Sequence, residues 1–183
     1  MKDIFIPISD YLYTRKKKYI NFLLALLPAI VLIALSLIFD VNAGVKAIDL
    51  YSKFVASQIT TIAILLSFSM AYMTIIVTAD NKNVDRLKSK KASERNYNKI
   101  KGGETQPTLF QILLSGIAYV ILCQVIYLFL LIVEGIAEGI IPDSIVKYIV
   151  AVDVFVITYV FLVLMELVVN IYFVFWKNEM LPQ

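Results

Sequence analysis

The chain has 183 residues, of which 60% are hydrophobic, and its formal net charge is +3. A soluble domain is typically roughly 45–50% apolar, so this composition excludes an ordinary water-soluble fold and indicates a protein that crosses a membrane several times. The chain has no His and a single Cys, Cys123, which excludes His-based catalytic triads, the zinc-protease motif and an intrachain disulfide.

Four apolar segments are each long enough to cross a hydrocarbon core, which takes about 20 helical residues. In lipid the backbone must satisfy its own hydrogen bonds, so these segments are predicted to be helices. They cover residues 19–39, 54–79, 110–133 and 145–176. We therefore predict an all-α membrane protein with four transmembrane helices, with outer loops over residues 40–53 and 134–144.

The distribution of basic residues predicts the orientation of these helices. Residues 1–18, 80–109 and 177–183 together hold 14 of the 17 Lys and Arg residues. Basic segments next to membrane spans stay on the cytoplasmic side. Both termini and the central loop are therefore predicted to be cytoplasmic.

The N-terminal segment, residues 1–18, has the pattern of a short helix at the membrane surface. Its apolar residues recur at helical spacing and are followed by basic residues 15–18; they are Ile4, Phe5, Ile8, Tyr11 and Leu12. An apolar face beside a basic cluster favours contact with anionic lipid. The alternative is an unstructured tail whose charges only fix the orientation.

The second predicted span carries small residues in a regular pattern. With Ile64 included, successive positions are three or four residues apart, and the small members are Ser57, Thr60, Ser67, Ala71, Thr74 and Thr78. Small side chains let helix backbones approach closely in lipid, where hydrophobicity alone does not drive helix association. We predict a helix–helix contact face and a homo-oligomer; the residue types leave a hydroxyl-lined water path open as the alternative.

The central loop, residues 80–109, is much longer than a hairpin connection needs. We predict that its basic residues dock an anionic lipid surface or an acidic cytosolic protein, and the docking residues are Arg86, Lys88, Lys90, Lys91, Arg95, Lys99 and Lys101. The alternative is a solvated segment that only fixes orientation.

The two ends of this loop carry further helix signals. The second helix is predicted to continue beyond the membrane as far as Leu87, because no Gly or Pro interrupts it. Thr108 and Gln111 have the spacing of a capping box at the start of the third span.

Polar residues inside the spans predict an intramembrane polar network. Glu166 lies near mid-membrane, where an acidic residue costs about 2.5–3.5 kcal/mol to insert, so it should face protein or water. Asn170 lies one helical turn away and Gln124 lies on the third span. We predict hydrogen bonds among these three residues, with a Glu166 facing an aqueous path as the alternative. Asp153 is predicted to lie near or beyond the outer interface.

No phosphate-binding glycine loop, hydrolase nucleophile motif or large soluble domain is present. The sequence therefore predicts a non-enzymatic membrane scaffold or sensor subunit that contacts lipid, oligomerises and docks a cytosolic protein. It predicts no catalytic residue, cofactor, metal site or direct nucleic-acid contact. The alternative is an oligomeric pore or ion-conducting subunit, lined by the hydroxyl residues of the second span and by Glu166.

Four spans at these positions in a chain of this length resemble the KwaA family, the membrane subunit of the bacterial Kiwa anti-phage system. The resemblance is one of architecture over the whole chain and carries over no functional residue. It implies an oligomeric sensor of infection in the bacterial inner membrane. It also implies that the cytosolic partner is a DNA-binding protein and that this chain has no enzymatic role.

Overall fold

The computed structural model describes residues 6–14, 18–38, 47–79, 82–91 and 107–176. Within these ranges the chain is helical and forms no strand. The helices are α1 Ile6–Thr14, α2 Lys18–Ile38, α3 Ala47–Thr78, α4 Lys82–Ser89, α5 Leu109–Ala137 and α6 Asp143–Trp176, with a 3-10 turn at Glu138–Ile140 between α5 and α6.

Four of these helices, α2, α3, α5 and α6, are long and apolar enough to cross a membrane. This confirms the predicted all-α membrane protein with four transmembrane helices. The predicted outer loops, however, include helical residues, because α3 begins at Ala47 and α6 at Asp143. Asp49 and Asp143 lie in the first turns of these helices, where a carboxylate stabilises the helix N-terminus. The length of an apolar segment does not indicate these polar helical turns.

The helix that was predicted to continue from the second span to Leu87 is interrupted, and this prediction was wrong. α3 ends at Thr78, and a separate helix, α4, begins at Lys82. Val84 and Leu87 of α4 are 1% and 4% exposed. Their burial explains the break, since a separate short helix can turn its two apolar residues inward while its polar residues remain exposed.

The predicted capping box at the start of α5 is confirmed. The Thr108 backbone N–H donates to Gln111 Oε1 at 2.9 Å, and the Gln111 N–H donates to Thr108 Oγ1 at 3.2 Å. The Leu109 N–H donates to the Lys90 carbonyl at 3.0 Å, so the chain after α4 is tied to the beginning of α5. Within the central loop, residues 80–109, which we call the basic loop, this closure places Lys90 next to the beginning of α5.

The chain divides into two compact units. The first comprises Met1–Lys18, Ser69–Leu122 and Val163–Gln183, and the second comprises Tyr19–Phe68 and Cys123–Leu162. Three helices are divided between the units, so that each unit contains one part of α3, of α5 and of α6.

In the first unit, aromatic stacking holds α1 against α5. Tyr11 is 1% exposed, and its ring stacks on Tyr119 with 4.1 Å between centroids and 6° between planes. The predicted N-terminal helix is thus present, with Pro7 in its first turn, where a missing N–H is tolerated. The face of α1 that carries Tyr11 packs on α5 rather than on lipid. Residues 15–17 of the predicted basic cluster lie outside the described residues.

The second unit contains an apolar core built by α3, α5 and α6. Its buried members are Tyr51, Val55, Ile62, Tyr127, Leu131 and Val146. On α2 the ring of Phe22 meets Phe155 of α6 edge to face, with 5.1 Å between centroids. Two polar side chains of the unit, Gln124 and Asp153, are also buried, on helix faces that they share with apolar members of the core.

Candidate functional site

The small residues predicted to form a contact face all lie on the exposed side of α3, and we call this set the small-residue face: Ser57, Thr60, Ser67, Ala71, Thr74 and Thr78. The side of α3 that packs on its own chain is marked by Tyr51, Val55, Ile62 and Ile76, which are at most 4% exposed. At 3.6 residues per turn the two stripes lie about 180° apart. The small-residue face is therefore not a contact within the described part of the chain.

Four of the five hydroxyl groups of this face are satisfied by their own helix. Each of the four donates to the carbonyl group four residues earlier, at 2.7–3.1 Å; the donors are Thr60, Ser67, Thr74 and Thr78. A hydroxyl that bonds back to its helix leaves no unsatisfied donor in lipid. The face can thus lie against lipid or against another helix without a polar penalty, and its low side-chain volume suits close helix approach.

The basic loop is described at its beginning. Four of the seven predicted docking residues are in the described ranges and all four are exposed: Arg86, Lys88, Lys90 and Lys91. The other three, Arg95, Lys99 and Lys101, lie outside the described residues. Lys88 Nζ lies 5.5 Å from the centroid of the Phe110 ring, a cation–π distance. α4 therefore turns its apolar residues inward and presents basic ones outward.

The predicted polar network is not formed at Gln124. Its side chain is 0% exposed, and neither Oε1 nor Nε2 has a hydrogen-bond partner among the described residues. Gln124 shares a helix face with buried Val120 and Leu131, so apolar packing of that face buries the amide whether or not a partner is present. Glu166 and Asn170 are both partly buried on α6.

The unpartnered amide of Gln124 leads to a stability prediction. Gln124→Leu should raise the free energy of unfolding by about 1–3 kcal/mol, because it removes the cost of burying an unsatisfied amide and keeps a similar volume. Thermal unfolding of the purified protein in detergent measures this change. Ile126→Leu, at an exposed position on the same helix, should leave the stability unchanged. A destabilised Gln124→Leu variant would show that the amide has a partner.

Sequence reasoning missed a group of two carboxyl and two phenol side chains in the second unit, which we call the acid–tyrosine cluster: Tyr51, Tyr127, Glu134 and Asp153. The Tyr51 hydroxyl donates to Glu134 Oε2 at 3.2 Å, and the Tyr127 hydroxyl donates to the backbone carbonyl of Asp153 at 3.2 Å. Tyr51, Tyr127 and Asp153 are at most 2% exposed, whereas Glu134 is partly exposed. Three helices thus meet at two acidic groups.

The signal for this cluster was present in the sequence as helical spacing. Glu134 is seven residues after Tyr127 on α5, and Asp153 is seven residues after Val146 on α6; both Tyr127 and Val146 belong to the core. Residues seven apart share one helix face. Glu134 falls in a predicted outer loop and Asp153 near the predicted outer interface, so the extent of the apolar segments alone does not indicate that the two residues meet.

Within the described ranges, no group of three or more His, Cys, Asp or Glu residues is placed to hold a metal ion. Comparison with known proteins found no matching family model, no similar curated protein and no similar solved structure. The functional argument therefore starts from the small-residue face, the basic loop and the acid–tyrosine cluster.

Proposed function

We propose that the chain is a non-enzymatic subunit of a membrane scaffold or sensor, and that it self-associates through the small-residue face of α3. The observation that carries the proposal is that every residue of this face is exposed, opposite the side by which α3 packs on its own chain. A second copy of the chain presents the same face. Contact of α3 with α3 is then self-complementary, as in a two-fold symmetric dimer.

Co-purification tests this assembly directly. Two copies of the full chain carrying different tags are expressed together, solubilised in mild detergent and purified through one tag. We expect the second tag to be retained. Recovery of the first tag alone, at a protein concentration matching that in the membrane, would contradict self-association.

The basic loop is the proposed docking surface for a cytosolic partner. α4 exposes Arg86 and Lys88, and Lys90 and Lys91 follow it directly. Four exposed basic side chains within six residues attract an acidic surface at short range. The partner proposed here is an acidic protein surface, and an untargeted pull-down with the full chain identifies it.

This docking requires the loop to face the cytosol, which leads to a topology prediction. In a Cys123→Ser background, a cysteine introduced by Ser93→Cys should react with a membrane-impermeant maleimide only after the cells are permeabilised. Ser93 belongs to the basic loop and lies outside the described residues. Labelling of intact cells would reverse the orientation of all four helices and remove the loop from the cytosol.

From its architectural resemblance to the KwaA family, the chain is further proposed to act in anti-phage defence in the bacterial inner membrane, with a cytosolic DNA-binding protein as the docked partner. Cells that express the chain with its partner should then form fewer plaques on phage challenge than cells that express either protein alone. Equal plaque numbers would contradict the defence role and leave the assembly proposal standing.

Ion flux separates this proposal from an oligomeric pore. Four of the five hydroxyl groups of the small-residue face donate to carbonyl groups within α3, which favours packing over a water-lined path. Liposomes containing the purified protein should therefore show no more cation flux than empty liposomes. A flux that Ala71→Leu abolishes would support the pore.

A further inference from the structure

We propose that Glu134 and Asp153 together form a binding site for one monovalent cation, either a proton or Na⁺, within the acid–tyrosine cluster. The site belongs to the second unit and does not depend on self-association through α3. It would add a cation-responsive element to a protein in which the sequence predicted only scaffold and docking features.

The strongest observation is the environment of the Asp153 carboxyl group. Asp153 is 2% exposed, and its Oδ2 atom has no hydrogen-bond partner in the part of the chain that the structure describes. A buried carboxylate with an unsatisfied oxygen is disfavoured, because the hydration lost by that oxygen is not replaced. A bound cation or proton at Oδ2 would compensate for this loss.

Among the described residues, no Lys or Arg belongs to the electrostatic neighbours of Asp153. These neighbours are Glu134 and Tyr127 of α5, and Tyr51 of α3 interacts electrostatically with Glu134, Asp153 and Glu138. Two carboxyl groups that face each other repel when both are ionised, and one bound cation removes that repulsion.

The phenol groups orient the two carboxyl groups. Tyr51 directs its hydroxyl proton to Glu134 Oε2, and Tyr127 directs its hydroxyl proton to the backbone carbonyl of Asp153. The phenol oxygens then retain lone pairs, and all potential ligands of the site are oxygen atoms, as hard cations prefer.

A single positive charge suits this arrangement better than a divalent ion. Only two carboxyl groups belong to the cluster, and among the described residues no third acidic, His or Cys side chain completes a metal-binding group. Ca²⁺ takes six to eight oxygen ligands, more than two carboxyl and two phenol groups comfortably provide. A proton needs only the two carboxyl oxygens, and Na⁺ can add the phenol oxygens.

Access to the site is through its less buried member. Glu134 is partly exposed, and Glu138, four residues further along the chain, is also partly exposed. A cation can therefore meet Glu134 before it reaches the buried Asp153. Both carboxyl groups hold the cation, so loss of either should reduce the stability that the cation adds, and loss of the more buried Asp153 should reduce it more.

Thermal unfolding of the full chain in detergent tests the proposal. One arm compares choline chloride with NaCl at pH 8, and the other compares pH 5.5 with pH 8 in choline chloride. A cation present at one hundred times its dissociation constant should raise the Tm by about 5–10 °C. An infrared absorption band of a protonated carboxyl group that is present in the wild type and absent from Asp153→Asn would identify the proton as the bound cation.

The decisive comparison is between variants of the cluster and an exposed carboxyl group. Asp153→Asn should lose the Tm shift in whichever arm shows it, and Asp49→Asn, at an exposed position of α3, should keep it. If Asp153→Asn does not fold, Glu134→Gln serves in its place. The proposal is overturned if neither arm shifts the wild-type Tm or if the cluster variants retain the shift.

Discussion

Ala71→Leu should weaken self-association of the protein by about 5- to 150-fold, because a leucine placed in a close helix contact costs about 1–3 kcal/mol in overpacking. Ala71 is exposed and lies on the small-residue face, so the substitution creates no clash within its own chain. Ser67→Leu, one turn earlier on the same face, should have an effect of similar size. Energy transfer between donor- and acceptor-labelled copies in liposomes, measured over a range of protein-to-lipid ratios, gives the association constant.

Ala34→Leu is the matched control for this experiment. Ala34 is also an exposed alanine, but it lies on α2, so the same increase in volume occurs away from α3. It should leave the association constant unchanged. The same loss in Ala34→Leu and in Ala71→Leu would show that added bulk anywhere on the surface disturbs the protein, and the assignment of the contact to α3 would fail.

Reversal of charge at Lys90 and Lys91 should reduce recruitment of the cytosolic partner at least about tenfold, since like charges placed against each other across an interface cost several kcal/mol. Both side chains are exposed directly after α4. Membrane insertion and self-association should not change, because neither residue belongs to a membrane-spanning helix. The measurement is a quantitative pull-down with the double variant Lys90→Glu, Lys91→Glu.

Lys53→Glu provides the control for charge reversal. Lys53 is exposed on α3, outside the basic loop, and its reversal should leave partner recruitment unaffected. Raised salt should also weaken recruitment by the wild-type protein, because exposed charges are screened. If the double variant retains its partner, the loop serves orientation only and docking must occur elsewhere.

The membrane-spanning helices could be predicted from the sequence because their main cause is local. A run of about 20 apolar residues has no stable alternative to a helix in lipid, and the capping box at Thr108 and Gln111 uses residues three apart. The helix limits depended on weaker signals. The polar first turns of α3 and α6 are stabilised by the carboxylates of Asp49 and Asp143 at the helix N-termini. The separate α4 is stabilised by burial of Val84 and Leu87.

Pairings between helices could not be predicted, because periodicity shows which residues share a face but not what that face meets. The small-residue face was readable in the sequence, whereas its exposure depends on α3 packing through Tyr51 and Ile62 on the opposite side. A hydrogen-bond partner is expected for Gln124 because it is polar, yet it is buried on an apolar face and has none among the described residues. Asp153 meets Tyr127 only through the packing of α5 against α6.

Disulfide cross-linking in native membranes tests the central claim most directly, namely that copies of the chain meet through the small-residue face of α3. In a Cys123→Ser background, Ser67→Cys places a thiol on this face, and Val77→Cys places one at an exposed position about 100° around the same helix. Mild oxidation should produce a covalent dimer from Ser67→Cys and little from Val77→Cys. A dimer formed equally by both variants, or formed only by Val77→Cys, would contradict the proposed interface.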